Sequence, residues 1–141
     1  MSDTFRTQVT IKFHQADPAG IMFFAHVFTL AHDTYEAFIN ACEINWKEWF
    51  VDHKYVTPIR HTECDFLRPF KAGETYEVSA QVIEFSSSSF IMNYQFSKDQ
   101  NKHAVVKMVH TYLDQNTFQK APLPDAVKNS LSKFYRKTSH A

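Results

Sequence analysis

Asp17-Pro18-Ala19-Gly20 joins a carboxylate, a stiff imino acid and one of only two glycines in 141 residues. Pro18 biases Asp17 towards an extended backbone. Gly20 permits a turn, or a close backbone approach that a side chain would block. A carboxylate on such a loop can attack a carbonyl or draw a proton from water. It can equally accept a neighbouring N–H and do no more than close an Asx-type turn. The residues that follow bear on the choice. A helical pattern opens near Phe24, and none of Met22, Phe23, Phe24, Ala25 or His26 is a capping side chain. First-turn N–H groups without a local acceptor can hold a negatively charged or polarised oxygen. One such contact is worth roughly 3–4 kcal/mol in acyl transfer. Asp17 and these first-turn N–H groups could therefore face one substrate carbonyl.

Other chemistry-bearing residues carry weaker signals. His32 and Glu36 lie one helical turn apart, as metal ligands might, but no HExxH or comparable set accompanies them, so no metal site is expected. His26 stands at the helix start, able to orient a substrate or water, or merely to meet solvent. His32 fits either a pocket wall or a satisfied core position. Glu63 and Asp65 share a strand parity, which suits paired acid–base chemistry or two solvated charges. The segment Trp46-Lys-Glu-Trp49 reads as a surface helix with buried tryptophans, or as a flap over an acyl group.

The elements that must position these groups follow from hydrophobic period. In residues 5–13, Phe5, Val9, Ile11 and Phe13 share one parity, which predicts a half-buried strand. From about 24 to 42, Phe24, Val27, Phe28, Ala31, Tyr35, Phe38, Ile39 and Cys42 recur at three- and four-residue steps without a Gly or Pro, predicting a helix of about five turns in the core. A short helical piece is expected over 46–52 and a connector over 53–58. Strands are expected over 59–67 and 75–85, through Phe90, Met92, Tyr94 and Phe96, and over 104–113. The four serines at 86–89 fit a bend, and residues 99–102 a turn. Asp125 is placed to cap a C-terminal helix running to about Arg136. One helix followed by hairpin-linked strands is an α+β layer architecture. Its open sheet edges invite pairing with a second copy.

Composition narrows the class. Hydrophobic residues make up 44% of the chain and Phe occupies 14 positions, enough for one cored domain over 1–141. Lys+Arg and Asp+Glu both number 15, so no basic surplus points to nucleic acid. Cys42 and Cys64 are far apart and form no CxxC. No apolar leader core opens the sequence, and no run reaches a membrane span's length. A cytoplasmic protein with reduced thiols is expected.

The run Asp17-Pro-Ala-Gly-Ile-Met-Phe-Phe-Ala-His26, with the long helix after it, resembles hotdog-fold acyl-CoA thioesterases of the 4-hydroxybenzoyl-CoA thioesterase class. Thr57-Pro58-Ile59, Asp65-Phe-Leu-Arg-Pro69 and the element order resemble that class too, over about residues 5–115. Phe24-Ala-His-Val-Phe-Thr-Leu-Ala-His-Asp-Thr-Tyr-Glu36 is most similar to the branch hydrolysing 1,4-dihydroxy-2-naphthoyl-CoA. The resemblance implies a central helix wrapped by an antiparallel sheet of about five strands. It implies a homodimer whose sheet continues across subunits, often doubled into a homotetramer, with the site at the dimer interface. Asp17 takes the position of the catalytic carboxylate, as nucleophile or as general base. The Phe24 N–H would polarise the carbonyl oxygen, with His26 close by, and Gly20, His32 and Thr57 would line the substrate pocket.

Two departures shape the expectation. The class type enzyme carries basic residues for the CoA nucleotide before its fourth strand, where this chain has uncharged residues 86–89. Phosphate contacts would then come from hydroxyls and N–H groups such as those of Ser88 and Ser89, or from Lys71 or Lys98. His32 stands where that enzyme has an acid facing the ring hydroxyl, which suits an aromatic substrate other than 4-hydroxybenzoyl. The implied function is hydrolysis of an aromatic or short acyl-CoA, with no cofactor, since CoA is part of the substrate. The rivals are a dehydratase acting on acyl carrier protein, whose His-centred Gly-rich loop is missing here, and a non-catalytic acyl-CoA binding or sensing module.

Overall fold

Strand β1 (Phe5–Thr10) opens a computed structural model of the chain that describes residues 4–137. Both ends of the expected 1–141 domain lie outside the described residues. After β1 come helices α1 (His26–Ala41) and α2 (Trp46–Phe50), strands β2 (Ile59–Phe66), β3 (Thr75–Phe85), β4 (Ser89–Lys98) and β5 (Asn101–Thr111), and helix α3 (Asp125–Leu131). The five strands form one antiparallel sheet in the order β1-β3-β4-β5-β2.

Helix α1 buries Val27, Leu30, Ala31, Thr34, Tyr35, Phe38 and Ile39. That stripe packs on the inward parity of the sheet, where Tyr76, Val78, Ala80 and Val82 of β3 and Phe90, Met92, Tyr94 and Phe96 of β4 are all fully buried. Period 3.6 thus meets period 2 across one core. Removing a ring from it, as in Phe38→Ala, should cost about 3–5 kcal/mol. The β4–β5 hairpin closes on Asp99 and Gln100 with φ of 50° and 66°, a two-residue turn whose twist suits the strands.

Several boundaries differ from expectation. Beta1 stops at Thr10, and Phe13 falls in a 3₁₀ turn (Phe13–Gln15), 93% exposed and off the core parity. Helix α1 has 16 residues and begins at His26, so Phe24 precedes it and is 57% exposed. Asp125 does not cap α3: Pro124 occupies the N-cap position, and Asp125 lies inside the first turn, where its charge meets the positive helix end. Of the two tryptophans, Trp49 is buried and donates to the Tyr35 hydroxyl at 2.9 Å, while Trp46 stays 38% exposed.

Candidate active site

Residues 15–24 form a small hairpin between β1 and α1. The Asp17 N–H donates to the Ile21 carbonyl at 2.9 Å, and the Gly20 N–H to the Asp17 carbonyl at 2.9 Å. Gly20 closes this turn with φ of 79°; an added Cβ would meet nothing within 4 Å, so backbone conformation and not space calls for glycine. Ala16 and Met22 pair as a bridge below the loop, and the Phe23 N–H donates to the Gln15 carbonyl at 2.9 Å. Gln15 is buried, and its side-chain oxygen accepts the Lys12 N–H at 2.8 Å. The loop is also tied to the segment before β3. Met22 N–H donates to Phe70 O at 2.8 Å, Ala72 N–H donates to Gly20 O at 3.0 Å, and Ile21 bridges Lys71.

Both readings of Asp17 are present at once. Its Oδ1 accepts the Ala19 N–H at 2.9 Å, which is the Asx turn. Oδ2 has no partner among the described residues, and the side chain is exposed. The turn therefore orients the carboxylate and leaves one oxygen available.

No side chain caps α1. The N–H groups of His26, Val27 and Phe28 turn back onto the carbonyls of Phe23, Phe24 and Ala25 at 3.1–3.3 Å. Those of Phe24 and Ala25 have no acceptor among the described residues. The unengaged N–H groups thus sit one and two residues ahead of the helix. An open cleft of about 500 Å³ runs past Phe13, His14, Asp17, Pro18 and Gly20. A second, of about 320 Å³, is walled by Ile21, Phe24, Phe66, Leu67 and Arg68.

His26 is half-buried beside Phe23, with ring centroids 6.1 Å apart. His32 pairs with Glu36 at 3.2 Å and meets Tyr35 and Phe50 edge-on. No group of three metal-ligating side chains exists among the described residues. The thiols are poor nucleophiles, because burial pushes Cys42 up to about 12 and Cys64 up to about 11. Glu63 is exposed and pairs with His61 at 3.0 Å.

Thr57, Ser88 and Ser89 lie at the other end of the sheet. Ser89 faces Thr111 in register, and the Thr111 N–H donates to the Pro58 carbonyl at 3.0 Å. Between that end and the Asp17 end run the 11 residues of β3, roughly 35 Å. Thr57 is anchored from beneath: its carbonyl accepts the His110 Nδ1–H at 2.9 Å. The Ser89 hydroxyl pairs with that of Ser86 across the bend. Within one chain, Asp17 and Gly20 line one cleft and Phe24 the other, both on the same hairpin, with His26 at the helix start that follows; Thr57, Ser88 and Ser89 lie at the opposite end.

Gln15 was not expected at the site, and Phe66 and Leu67 were expected there only as part of the motif Asp65-Phe-Leu-Arg-Pro69. Gln15 lies where parity breaks, so no period marks it. Phe66 and Leu67 were legible as strand residues but not as an exposed wall of the cleft.

A family model described as the thioesterase-like superfamily matches residues 11–131. The chain is 30% identical over 128 residues to a 1,4-dihydroxy-2-naphthoyl-CoA hydrolase of Synechococcus elongatus, covering 90% of this chain and 94% of that protein. A 1,4-dihydroxy-2-naphthoyl-CoA hydrolase of Rippkaea orientalis is 30% identical over 121 residues, covering 84% and 88%. Among solved structures, a 1,4-dihydroxy-2-naphthoyl-CoA thioesterase from Synechocystis superimposes with a TM-score of 0.82 at 21% identity, over 91% of this chain and 95% of that one. The 4-hydroxybenzoyl-CoA thioesterase of a Pseudomonas species gives a TM-score of 0.79 at 15% identity, over 90% and 98%. The fold is the hotdog fold.

Proposed function

This chain belongs to the thioesterase-like superfamily, and on that premise we propose that it hydrolyses the thioester of an aromatic acyl-CoA, of the 1,4-dihydroxy-2-naphthoyl type or smaller, to free acid and CoA. The observation that carries this reading is the pairing of an unengaged Asp17 oxygen with an unengaged Phe24 N–H on one hydrogen-bonded hairpin. The N–H receives the thioester carbonyl oxygen as charge builds on it. Asp17 either attacks the carbonyl carbon, forming an anhydride that water then opens, or takes a proton from an attacking water. In both routes the C–S bond breaks, the thiolate of CoA leaves, and water supplies the hydroxyl of the acid. No cofactor takes part, and CoA enters only as part of the substrate.

The reading includes a homodimer, paired further into a homotetramer. Beta2 is an edge strand whose residues are exposed on both faces, Cys64 alone being half-buried. Ile59, Phe66 and Leu67 are 39%, 44% and 56% exposed along it, an apolar edge that a lone chain leaves unpaired. Antiparallel pairing of two β2 strands about a twofold axis carries the Thr57 end of one chain to the Asp17 end of the other. That supplies a reason for pocket residues to lie at opposite ends of one sheet. A cytoplasmic location is part of the proposal; no described helix is long and apolar enough to cross a membrane.

The test is thiol release from a panel of aromatic and aliphatic acyl-CoA esters by the wild type and by Asp17→Asn. The expected result is turnover of an aromatic ester and a drop of at least about a hundredfold in the variant. Full activity in the variant overturns the mechanism. Tight binding of CoA esters without thiol release makes the protein a binding module.

A further inference from the structure

Beside the apolar cleft at Phe24 lies a second one of about 290 Å³ lined by Arg68, Lys71, Glu74, Lys98, Asp99 and His103. The two clefts meet at Arg68 and Pro69, which line both. None of Arg68, Lys71 and Lys98 is in an ion pair among the described residues. Glu74 already accepts the Tyr76 hydroxyl at 3.2 Å. Three cations against two carboxylates leave the cleft positive.

The backbone under these cations is fixed in advance. The N–H groups of Leu67 and Arg68 both donate to the His103 carbonyl, at 2.9 and 3.1 Å. His103 Nδ1 in turn meets the Pro69 carbonyl at 3.0 Å. The Lys71 N–H donates to the Tyr76 hydroxyl at 2.8 Å. The rings of Phe70, Tyr76 and His103 pack together beneath, with centroids 4.8–5.5 Å apart. Cations carried on a rigid frame lose little freedom when an anion arrives.

We propose that this cleft binds the phosphorylated nucleotide end of the acyl-CoA, the 3′-phosphate and the 5′-pyrophosphate, in the same chain whose Asp17 meets the thioester; the proposal rests on the thioesterase reading. Distance fits it. Lys71 bridges Ile21, whose carbonyl accepts the Asp17 N–H at 2.9 Å, so the Lys71 backbone lies on the order of 10 Å from Asp17, within reach of a pantetheine arm. Charge fits it too: Arg forks and Lys points are the usual partners of phosphate oxygens. The serine bend at the far end of the sheet carries no charge of its own, and its nearest ammonium, Lys128, stands 5.5 Å over the Phe85 ring. Arg68 stands at the junction of the two clefts, where the pyrophosphate would pass. Lys71 and Lys98 line the second cleft alone.

The test compares wild type, Lys71→Glu/Lys98→Glu, the milder Lys71→Gln/Lys98→Gln, and an equal charge reversal at the serine-bend end, Lys120→Glu/Lys128→Glu, which probes the rival site. Adenosine 3′,5′-bisphosphate is titrated calorimetrically into each. Steady-state kinetics are measured on the best aromatic acyl-CoA of the panel and on its acyl-pantetheine counterpart, which lacks the nucleotide. The charge reversal should abolish bisphosphate binding and raise KM for the CoA ester at least about tenfold, with kcat nearly unchanged. The glutamine pair should give a smaller rise of the same kind. The pantetheine ester should be handled alike by all four proteins. Unchanged KM, an equal rise for both esters, or stronger loss of bisphosphate binding in Lys120→Glu/Lys128→Glu than in Lys71→Glu/Lys98→Glu would each overturn the assignment. If wild type releases thiol from neither ester, the thioesterase reading fails alone, and the bisphosphate titration still decides the cleft.

Discussion

The Phe23 N–H donates to the Gln15 carbonyl at 2.9 Å, and this bond ties together the two ends of the hairpin that carries Asp17. Asp17 lies two residues after Gln15, and Phe24 one residue after Phe23. The spacing between the carboxylate and the Phe24 N–H proposed to bind the carbonyl oxygen is therefore set by a backbone clasp, which the buried Gln15 side chain holds in place through Lys12.

Gln15→Leu tests that clasp. It removes the acceptor of the Lys12 N–H at a buried position, which should cost about 1–2 kcal/mol of stability. The kinetic consequence should be a fall in kcat of roughly three- to thirtyfold with KM little changed, since alignment is lost and not binding. Gln15→Glu keeps the acceptor and should recover most of kcat. Denaturant melts and steady-state kinetics on both variants check this.

Phe24→Pro removes the proposed donor outright while leaving the helix, which starts at His26, intact. Losing one oxyanion contact should lower kcat about a hundredfold or more. Phe24→Ala keeps the N–H and should lose far less. Circular dichroism of both variants separates this effect from misfolding.

Gly20→Ala places a Cβ where there is room but at φ of 79°. The left-handed backbone should cost about 1–2 kcal/mol. Gly20→Asn should cost less, because Asn tolerates that region. A thermal melt ranking Ala below Asn below wild type is expected, and the reverse order would show that the turn is not the constraint.

Stability should fall in mild acid because of His110. Its ring is stacked between Phe90 and Tyr35, with centroids 4.9 and 4.6 Å away, and Nε2 is buried without a partner. Burial lowers its pKa from 6.5 to about 4, and the nearby His32 adds to that shift, against the Thr57 carbonyl. The unfolded chain then takes up this proton at a higher pH than the folded one. The stabilisation is complete above pH 6.5 and is lost as pH falls through the folded value of about 4. The total is on the order of 3 kcal/mol. In His110→Phe, which cannot titrate, the urea midpoint should change less between pH 7 and pH 4 than in the wild type.

Much of the fold was legible because period reports burial directly. Residues 75–82 alternate, and the strand runs over Thr75–Phe85 with its register shifting between Val82 and Glu84. The core stripe of α1 was legible through Val27, Ala31, Tyr35, Phe38 and Ile39. Where period and turn chemistry compete, boundaries moved. Phe13 and Phe24 looked like core members by spacing, yet each stands beside the Asp17 hairpin and is more than half exposed. The hairpin's own hydrogen bonds, invisible to hydrophobic pattern, interrupted both elements.

The sequence alone determined the carboxylate, the proline and glycine that shape its loop, and the lack of a capping side chain at the helix start, because these depend on residue type and near neighbours. Tertiary structure decided the rest. Through-space backbone bonds at Gln15–Phe23 and Ile21–Lys71 fixed what Asp17 faces. Strand order put β2 at an open edge and placed Thr57 and Ser89 a sheet's length from Asp17. It also gathered Arg68, Lys71, Lys98 and His103, spread over three segments of chain, into one cleft. Residues distant in sequence meet only through pairing register, and register is a property of the whole sheet.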